Sequence, residues 1–366
     1  MGFTQNSSTF AFPVVETLKN NQSNKGNKSY FEHEYDVALI FLSLAIIAAN
    51  SLVIVLFVGK YQLRTKANTP LLSLAVSDLL MGSFGIPFYI ACNVLYTKPI
   101  CASATVIYRF IANSTILHIL SITVERYISV IHPLKYFSIV TRSRVMKVIF
   151  SIWAGSLFAA SVQLSWINFQ RHGYDSFEIK CNLIYNAVST LVCFALPVIS
   201  MSFIYCRVYF AVRHQILEAK KHRVFDQKRI RGPLLVTAEL RAIVIFALML
   251  GIFISFWVSW YIIALRLYIS SYFHENFAVD IVTLDVLTFL RLSTSLVNPV
   301  LYTFLKQDFR KALVSTIPCN LRRRTPNDNH GLEMITLKTS SSTVVESNNP
   351  CHVGSSKSLR MRQEKH

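Results

Sequence analysis

The chain contains little charge for its length. Only 15% of its 366 residues are Asp, Glu, Lys or Arg, whereas 52% are hydrophobic. A soluble domain usually carries charge on about a quarter of its residues, because its surface faces water. The composition therefore excludes an ordinary soluble domain and favours a protein that exposes apolar side chains to lipid.

Acidic residues are scarcer still: 19 Asp and Glu stand against 37 Lys and Arg, for a formal net charge of +18. Such an excess can indicate nucleic-acid binding. Here the basic residues lie between and after long apolar blocks, where they act as orientation signals for membrane spans. We therefore predict no nucleic-acid partner.

Several sequence patterns are missing. Residues 1–35 are polar, without the apolar core or small-residue cleavage site of a signal peptide. We find no internal repeat, no matched pair of broken helices and no ring of charges, which disfavours a transporter or channel. No His/Glu metal pattern or activated nucleophile stands out, so neither a metal centre nor an enzyme is predicted. His118 stands alone on an apolar helix and is interpreted as a core residue.

What the sequence does contain is seven apolar blocks, each long enough to cross about 30 Å of hydrocarbon as a helix. They cover residues 36–59, 70–95, 101–131, 144–166, 185–211, 237–269 and 279–303. An amphipathic segment follows over residues 304–318 and is expected to lie along the membrane surface. The predicted fold class is an all-α membrane protein: a seven-transmembrane helix bundle, residues 36–303, with a short amphipathic eighth helix.

Basic residues concentrate in the loops after the first, third and fifth blocks, which predicts that these loops are cytoplasmic and the N-terminus extracellular. Residues 1–35 would then be an extracellular arm, with N-glycosylation at the Asn-X-Ser patterns of Asn6, Asn21 and Asn27. The C-terminus would be cytoplasmic. Residues 319–366 are polar and Ser/Thr-rich, and are interpreted as a disordered tail. Cys319 is a candidate palmitoylation site, with an idle thiol as the alternative.

Of the seven cysteines, only Cys101 and Cys181 are predicted to meet outside the membrane. The first would lie at the start of the third helix and the second in an outer loop. An oxidising exterior permits a disulfide between them. We predict that this disulfide pins the loop across the mouth of the bundle.

The third block ends in Glu125-Arg126-Tyr127, followed by Pro133-Leu134. A guanidinium at a membrane boundary is costly, so the pair of charges suggests a function. This stretch resembles the end of the third helix in rhodopsin-like (class A) G-protein-coupled receptors, with a general amine-receptor look. Each helix has a residue similar to the family signature, in the right order: Asn50, Asp78 with Pro87, Cys101, Trp153, Pro197 with Tyr205, Phe253 with Trp257, and Asn298-Pro299 with Tyr302.

The resemblance implies a multi-pass receptor in the plasma membrane that converts binding of an extracellular ligand into activation of a heterotrimeric G protein. Further implied partners are membrane lipid, and arrestin and receptor kinases through the tail. The residues expected in G-protein coupling and in the resting lock are Glu125, Arg126, Tyr127, Leu134, Tyr205, Glu239 and Tyr302. Those expected in the activation switch are Ile116, Pro197, Phe253, Trp257, Asn298 and Pro299.

Two features of the sixth helix affect this switch. Helical spacing places Glu239 on the face toward the third helix, where it would pair with Arg126 and hold the cytoplasmic side shut. The alternative is a solvated acid that interacts with the dipole at a helix start. The family's proline in this helix is replaced by Ser259, so we expect a weaker bend, made by back-bonding of Ser255 and Ser259 to the backbone.

Asp78 is a carboxyl group halfway along an apolar helix and must find partners inside the bundle. In the family such a pocket holds a sodium ion, and the resemblance implies the same here; no other cofactor is expected. Thr294 stands where the family commonly has Asn, so a water-filled cluster without the ion is the alternative. The residues of this polar cluster would be Asn50, Asp78, Thr115, Ser295 and Asn298.

The ligand is constrained by two replacements. Tyr108 stands where amine receptors have an aspartate, and Leu292 stands where opsins have the lysine that carries retinal. Two arginines, Arg109 and Arg291, are instead predicted to face the pocket, together with Tyr108 and Trp257. We predict a ligand with an acidic or electron-rich group, an anionic small molecule or a lipid. The alternatives are arginines neutralised internally, a receptor that signals mainly without ligand, or a transporter.

Overall fold

The computed structural model describes residues 30–95, 97–168, 176–223, 231–273, 277 and 279–316. All elements in these ranges are helical, and seven helices are long and apolar enough to cross a membrane. The predicted all-α, seven-span fold is therefore confirmed. Several predicted features lie outside the described residues: Asn6, Asn21, Asn27, Cys319 and the Glu239 side chain.

We number the seven spans α1 to α7 in chain order. They are α1 Tyr30–Gly59, α2 Thr69–Leu95, α3 Lys98–Ile131, α4 Arg142–Ser165, α5 with its parts Ser176–Ser189, Thr190–Ala195 and Leu196–Arg223, α6 Arg231–Phe273, and α7 Ile281–Leu305. A short helix, Tyr136–Ile139, lies between α3 and α4. The surface helix α8, Gln307–Thr316, follows α7. Phe304 and Leu305 thus belong to α7, which shortens the predicted surface segment.

Two spans change their winding just before a proline. A π-helical turn, Met81–Gly85, precedes Pro87 in α2, and another, Thr190–Ala195, precedes Pro197 in α5. Proline lacks an N–H and its ring collides with the carbonyl four residues earlier, so a locally wider turn accommodates it. In α6, which lacks the proline, the helix runs unbroken from Arg231 to Phe273. The Ser255 hydroxyl donates to the Gly251 carbonyl at 2.8 Å, the back-bond that the sequence predicts.

Gly82 allows α1 and α2 to pack closely. A Cβ atom at this position would lie 2.9 Å from Ile47 Cγ1 and 3.1 Å from the Ser43 carbonyl oxygen. The Ser43 hydroxyl uses the contact to donate to the Gly82 carbonyl at 2.7 Å. A larger residue here would force the helices apart.

The junction between α7 and α8 is held by an aromatic contact and by a buried lysine. Phe309 is fully buried, with its ring centroid 5.6 Å from that of Tyr302. Lys306 is also buried, and its ammonium group donates to the Asn68 side chain and lies 3.4 Å from Asp308. Burial lowers the Lys306 pKa, and the Asp308 charge opposes that shift. These contacts hold α8 against the loop that follows α1.

The disulfide prediction was wrong about the partner. Cys101 is bonded to Cys92, near the end of α2, and Cys181 is a free thiol. The cause is the length of α5, which begins at Ser176 and places Cys181 on a helix rather than in a loop. Cys92 lies only nine residues before Cys101, with 4.7 Å between their Cα atoms. We call this end of the bundle the disulfide end and the opposite end the Arg126 end.

Cys181→Ala is expected to leave surface expression and thermal stability near wild type, because a free thiol is removed. Cys92→Ala and Cys101→Ala should each lower both, since losing a native disulfide typically costs roughly 2–4 kcal/mol. Surface labelling in cells and thermal unfolding of the purified protein measure these effects. The double variant Cys92→Ala/Cys101→Ala should have the same surface expression and thermal stability as either single variant, because one disulfide is lost in each case. The pairing is wrong if Cys181→Ala proves as damaging as Cys101→Ala.

Candidate functional site

The charged pair that ends α3 is held by a residue of the following loop. Arg126 Nε lies 2.7 Å from Glu125 Oε2, and the two meet as ions rather than in hydrogen-bond alignment. The Tyr136 hydroxyl donates to the other carboxylate oxygen of Glu125 at 2.6 Å. Burial, followed by this hydrogen bond, raises the pKa of Tyr136. The short helix Tyr136–Ile139 therefore positions the carboxylate that faces Arg126.

The other predicted coupling residues surround this pair differently. The Tyr205 hydroxyl lies 3.1 Å from Thr123 Oγ1, which joins α5 to α3, whereas the buried Tyr302 hydroxyl has no hydrogen-bond partner among the described residues. Tyr127 packs edge-on against His132, with ring centroids 6.2 Å apart. Leu134 is 97% exposed. The Arg126 end thus presents exposed apolar side chains, including Leu134 and Phe137, beside a largely buried pair of charges.

Asp78 is fully buried, and a hydrogen-bond partner is found for only one of its two carboxyl oxygens among the described residues. Its Oδ2 accepts from Asn298 Nδ2 at 3.0 Å, and its Oδ1 has no hydrogen-bond partner among the described residues. The Asn50 amide nitrogen donates to the Ser295 carbonyl at 3.1 Å. Asn50 Oδ1 accepts no hydrogen bond from the described residues. Thr115 and Ser295 are buried as well. The Thr294 hydroxyl bonds to the Arg291 carbonyl at 2.7 Å and is occupied within its own helix.

A different buried network accounts for His118. Its Nε2 lies 2.7 Å from the Ser73 hydroxyl, and Nδ1 lies 2.7 Å from the Ser114 carbonyl. Trp153 donates to the same Ser73 hydroxyl at 3.0 Å. The interpretation of His118 as a satisfied core residue is confirmed, because its ring joins α2, α3 and α4.

The predicted switch residues lie in the central core. The Phe253 and Trp257 rings stack with centroids 5.1 Å apart, and Trp257 stacks in turn on Tyr108 at 6.0 Å. Ile116, Phe253 and Trp257 belong to one buried cluster, and Pro197 is also buried. Phe194 was not predicted, although its ring contacts both Phe253 and Tyr261. Phe194 lies in the π-helical segment of α5, which orients its side chain toward this core.

A cavity of about 560 Å³, including space open to solvent, lies between α3, α5, α6 and α7. It is lined by Tyr108, Arg109, Ala112, Asn113, Asn186, Ser189, Thr190, Trp257, Trp260, Tyr261, Ala264, Leu265, Tyr268 and Arg291. All four predicted ligand-binding residues are among these. The α5 contributors, and the α6 contributors other than Trp257, were not predicted, because nothing in their own sequence separates pocket-lining positions from core positions.

The two arginines of this pocket have different surroundings. Arg109 donates to Asn186 Oδ1 at 2.8 Å and lies over the Tyr185 ring, 4.7 Å from its centroid. Arg291 is 3% exposed and lies 4.0 Å from the Tyr108 ring centroid and 3.9 Å from that of Trp260. Its Nε and Nη1 have no hydrogen-bond partner among the described residues. Arg109 therefore has an amide partner, whereas Arg291 lies against aromatic faces with two of its nitrogens unpaired among the described residues.

A buried ion pair that the sequence did not suggest joins α3 to α5. Lys98 Nζ lies 3.2 Å from both carboxylate oxygens of Glu178, and each side chain is 3% exposed. Glu178 also accepts from the Asn168 backbone N–H at 2.6 Å. In the sequence Lys98 looks like an ordinary loop charge between apolar blocks, so no local signal marks the pair. It ties together the two elements that the predicted disulfide was expected to join.

The profile of the "7 transmembrane receptor (rhodopsin family)" matches residues 49–302. The chain belongs to this family. As a rhodopsin-like G-protein-coupled receptor it fits the class that the sequence motifs predict, and it is a multi-pass membrane protein.

Individual relatives match most of the receptor. The histamine H2 receptor of Cavia porcellus is 31% identical over 297 residues, 78% of this chain and 79% of the relative. The 5-hydroxytryptamine receptor 6 of Mus musculus is 28% identical over 306 residues, covering 74% and 68%. The trace amine-associated receptor 13c of Danio rerio is 26% identical over 341 residues, covering 87% and 94%. The general resemblance of the sequence to amine receptors agrees with the names of these relatives.

Removing one partner of the Lys98–Glu178 pair should destabilise the receptor by roughly 3–5 kcal/mol, because the other charge stays buried and loses its oppositely charged neighbour. Lys98→Met and Glu178→Leu test this by thermal unfolding of purified protein. The double variant should lose less than the sum of the single losses. A purely additive result in this double-mutant cycle would mean that the two side chains do not interact.

Proposed function

We propose that this receptor converts binding of an extracellular ligand in the Tyr108–Arg291 pocket into activation of a heterotrimeric G protein at the Arg126 end. In this proposal the disulfide end is extracellular, the Arg126 end is cytoplasmic, and the protein resides in the plasma membrane. The loop charges of the sequence support that orientation. The observation that carries the proposal is the continuous ring stack from Tyr108 through Trp257 to Phe253, which leads from the pocket into the core.

The mechanism is a shift between two populations. A ligand can change the equilibrium only by its difference in affinity for the two states. A ligand that contacts Tyr108 and Trp257 acts on rings that pack against Phe253, and Phe253 shares a cluster with Ile116. Repacking of this cluster would move the Arg126 end of α6 and expose Arg126. The exposed Leu134 offers an apolar anchor for the arriving G protein.

We propose that the ligand carries an acidic group, either on a small molecule or on a lipid. The three relatives are named for histamine, 5-hydroxytryptamine and trace amines, all of which are amines. In this receptor none of the described residues that line the pocket is Asp or Glu, whereas two are arginines. An ammonium group would meet two like charges there, while a carboxylate or phosphate would meet guanidinium donors. Ligand-independent signalling is the second candidate, supported by the aromatic rings of Tyr108 and Trp260 that cover Arg291.

A sodium ion near Asp78 is a further proposal. Sodium prefers oxygen ligands, and two unmatched acceptors, Asp78 Oδ1 and Asn50 Oδ1, are present in the cluster. Ser295 and Thr115 would complete the oxygen set, and Asn298 would orient the carboxylate. Bound sodium would supply positive charge that compensates the buried Asp78.

Most of the remaining proposed partners involve segments outside the described residues, and one involves α8. Phosphorylation of the Ser/Thr-rich tail by receptor kinases would create clustered negative charge for arrestin. Lipid would contact α8, and palmitoylation at Cys319 would anchor the segment after it. Glycans on Asn6, Asn21 and Asn27 would extend from the extracellular arm.

Expression of the receptor with each class of G protein in turn, with basal and ligand-stimulated nucleotide exchange recorded, tests the proposal as a whole. Ligand binding that changes with guanine nucleotide is the expected result. Substrate flux in vesicles without any effect of nucleotide would instead indicate a transporter.

Glu239→Ala is expected to raise basal signalling, because the charge-assisted contact with Arg126, worth roughly 1.5–3 kcal/mol, would be lost. Basal nucleotide exchange at matched surface level is the measurement. Glu218→Ala is the control, since Glu218 is an exposed acid on α5 that pairs with His214. Equal basal signalling in wild type and Glu239→Ala would remove Glu239 from the lock.

Arg291→Gln and Arg109→Gln are each expected to weaken agonist potency at least about tenfold, equivalent to about 1.4 kcal/mol, at unchanged surface expression. Arg291 should give the larger loss, because its donors are unmatched, whereas Arg109 is already bonded to Asn186. Arg266→Gln is a control, since Arg266 lies over Phe277 and does not line the pocket. A cationic agonist with unchanged potency on both variants would rule out acidic recognition.

A further inference from the structure

The pocket is surrounded by buried hydrogen-bond donors that have no acceptor. Among the described residues that line it, four have unmatched buried polar atoms: Tyr108 Oη, Asn113 Nδ2, Trp257 Nε1, and Nε with Nη1 of Arg291. Every one of these groups can donate, and only the Tyr108 hydroxyl can also accept. A buried donor without a partner in the protein is destabilising, so a cluster of such donors around one cavity favours a ligand that accepts hydrogen bonds.

The charged residues of the pocket favour an anion as that acceptor, and the unmatched donors on Arg291 favour one acidic group. Arg109 and Arg291 are the charged residues among those described as lining the cavity. Arg109 already donates to Asn186 and lies over the Tyr185 ring. Arg291 has the unmatched donors and is 3% exposed. The Arg291 guanidinium thus has donors, free among the described residues, with which to bind one acidic group.

The surroundings of Arg291 favour a carboxylate over a phosphate. The ring centroids of Tyr108 and Trp260 lie 4.0 and 3.9 Å from the guanidinium carbon, so aromatic rings cover the group. A planar carboxylate can satisfy two N–H groups of a guanidinium in one plane. A phosphate is tetrahedral and strongly charged, and its third oxygen would need another cation. Arg109, the other cation among the described lining residues, already donates to Asn186.

The walls of the pocket favour a flat apolar body next to that carboxylate. The Tyr108 and Trp257 ring planes are inclined by only 16°, with centroids 6.0 Å apart. Trp260, Tyr261 and Tyr268 also line the cavity. Aromatic surfaces of this kind stack on flat rings in offset or edge-on contact.

We propose that the pocket binds an aromatic monocarboxylate, with Arg291 pairing with the carboxylate and with Tyr108 and Trp257 as additional donors. This inference rests on the proposed function only in taking the pocket as the ligand site. It assigns a ligand class, aromatic monocarboxylates, that differs from the amines for which the three relatives are named. A lipid phosphate is the competing anion, and the test includes it.

Thermal unfolding of the purified full-length receptor measures binding without any need for signalling, because a ligand that binds the folded state raises its Tm. The probes are phenylacetate and indole-3-acetate, with phenylacetamide, phenethylamine, phenyl phosphate and lysophosphatidate as comparisons. The two carboxylates should raise the Tm increasingly with concentration, and the amide and the amine should not. An equal or larger shift with phenyl phosphate or lysophosphatidate, or no shift with either carboxylate, would overturn the proposal.

Variants then test the geometry of recognition. Arg291→Gln should raise the Kd of the carboxylates at least about tenfold, and Arg291→Lys should also weaken binding, because lysine keeps the charge but loses the planar fork. Tyr108→Phe keeps the ring and removes one donor, so a smaller loss is expected. Wild-type affinity in Arg291→Lys would contradict planar pairing. Carboxylate binding without nucleotide exchange would leave this inference standing and overturn the proposed signalling function.

Discussion

A bundle of apolar helices can accept a buried charge only if the protein itself supplies the partners. Lipid offers no hydrogen bonds, so each buried ion or polar group must be matched within the bundle. Lys98 meets Glu178, Arg109 meets Asn186, and His118 meets Ser73. These contacts fix which helices are neighbours more specifically than apolar packing does, because each pair has few alternatives.

This constraint gives meaning to the groups that stay unmatched. Asp78 Oδ1 with Asn50 Oδ1 are unmatched acceptors in one cluster, whereas Arg291 and Trp257 have unmatched donors in another. The first cluster is suited to a small cation and the second to an anion. Two clusters, one with unmatched acceptors and one with unmatched donors, thus lie along α7, separated by about one turn of helix between Arg291 and Ser295.

The sequence was sufficient for features that depend on long local patterns. Seven apolar blocks predicted seven spans, and the ordered motifs predicted the receptor family. It was insufficient where a distant contact decides local structure. The first turns of α5 are polar and were interpreted as loop, yet they are helical and hold Glu178 against Lys98, 80 residues away. The same extension separates Cys181 from Cys101, which left Cys92 as the partner. Likewise, Arg109 and Arg291 looked equivalent until their neighbours on α5 and α6 were known.

The loss of the helix-six proline and the aromatic cover of Arg291 have related consequences. An unbroken α6 resists bending at one point, so movement has to arise from repacking along its face. Trp257 and Trp260 lie on that face, and both approach Arg291, at 5.9 and 3.9 Å from their ring centroids. An anion that pairs with Arg291 in the guanidinium plane would neutralise the charge that attracts these ring faces, and would thereby weaken the contact of α6 with α7. In this receptor, recognition of an acid and displacement of α6 would be the same physical event, with no need for a proline hinge.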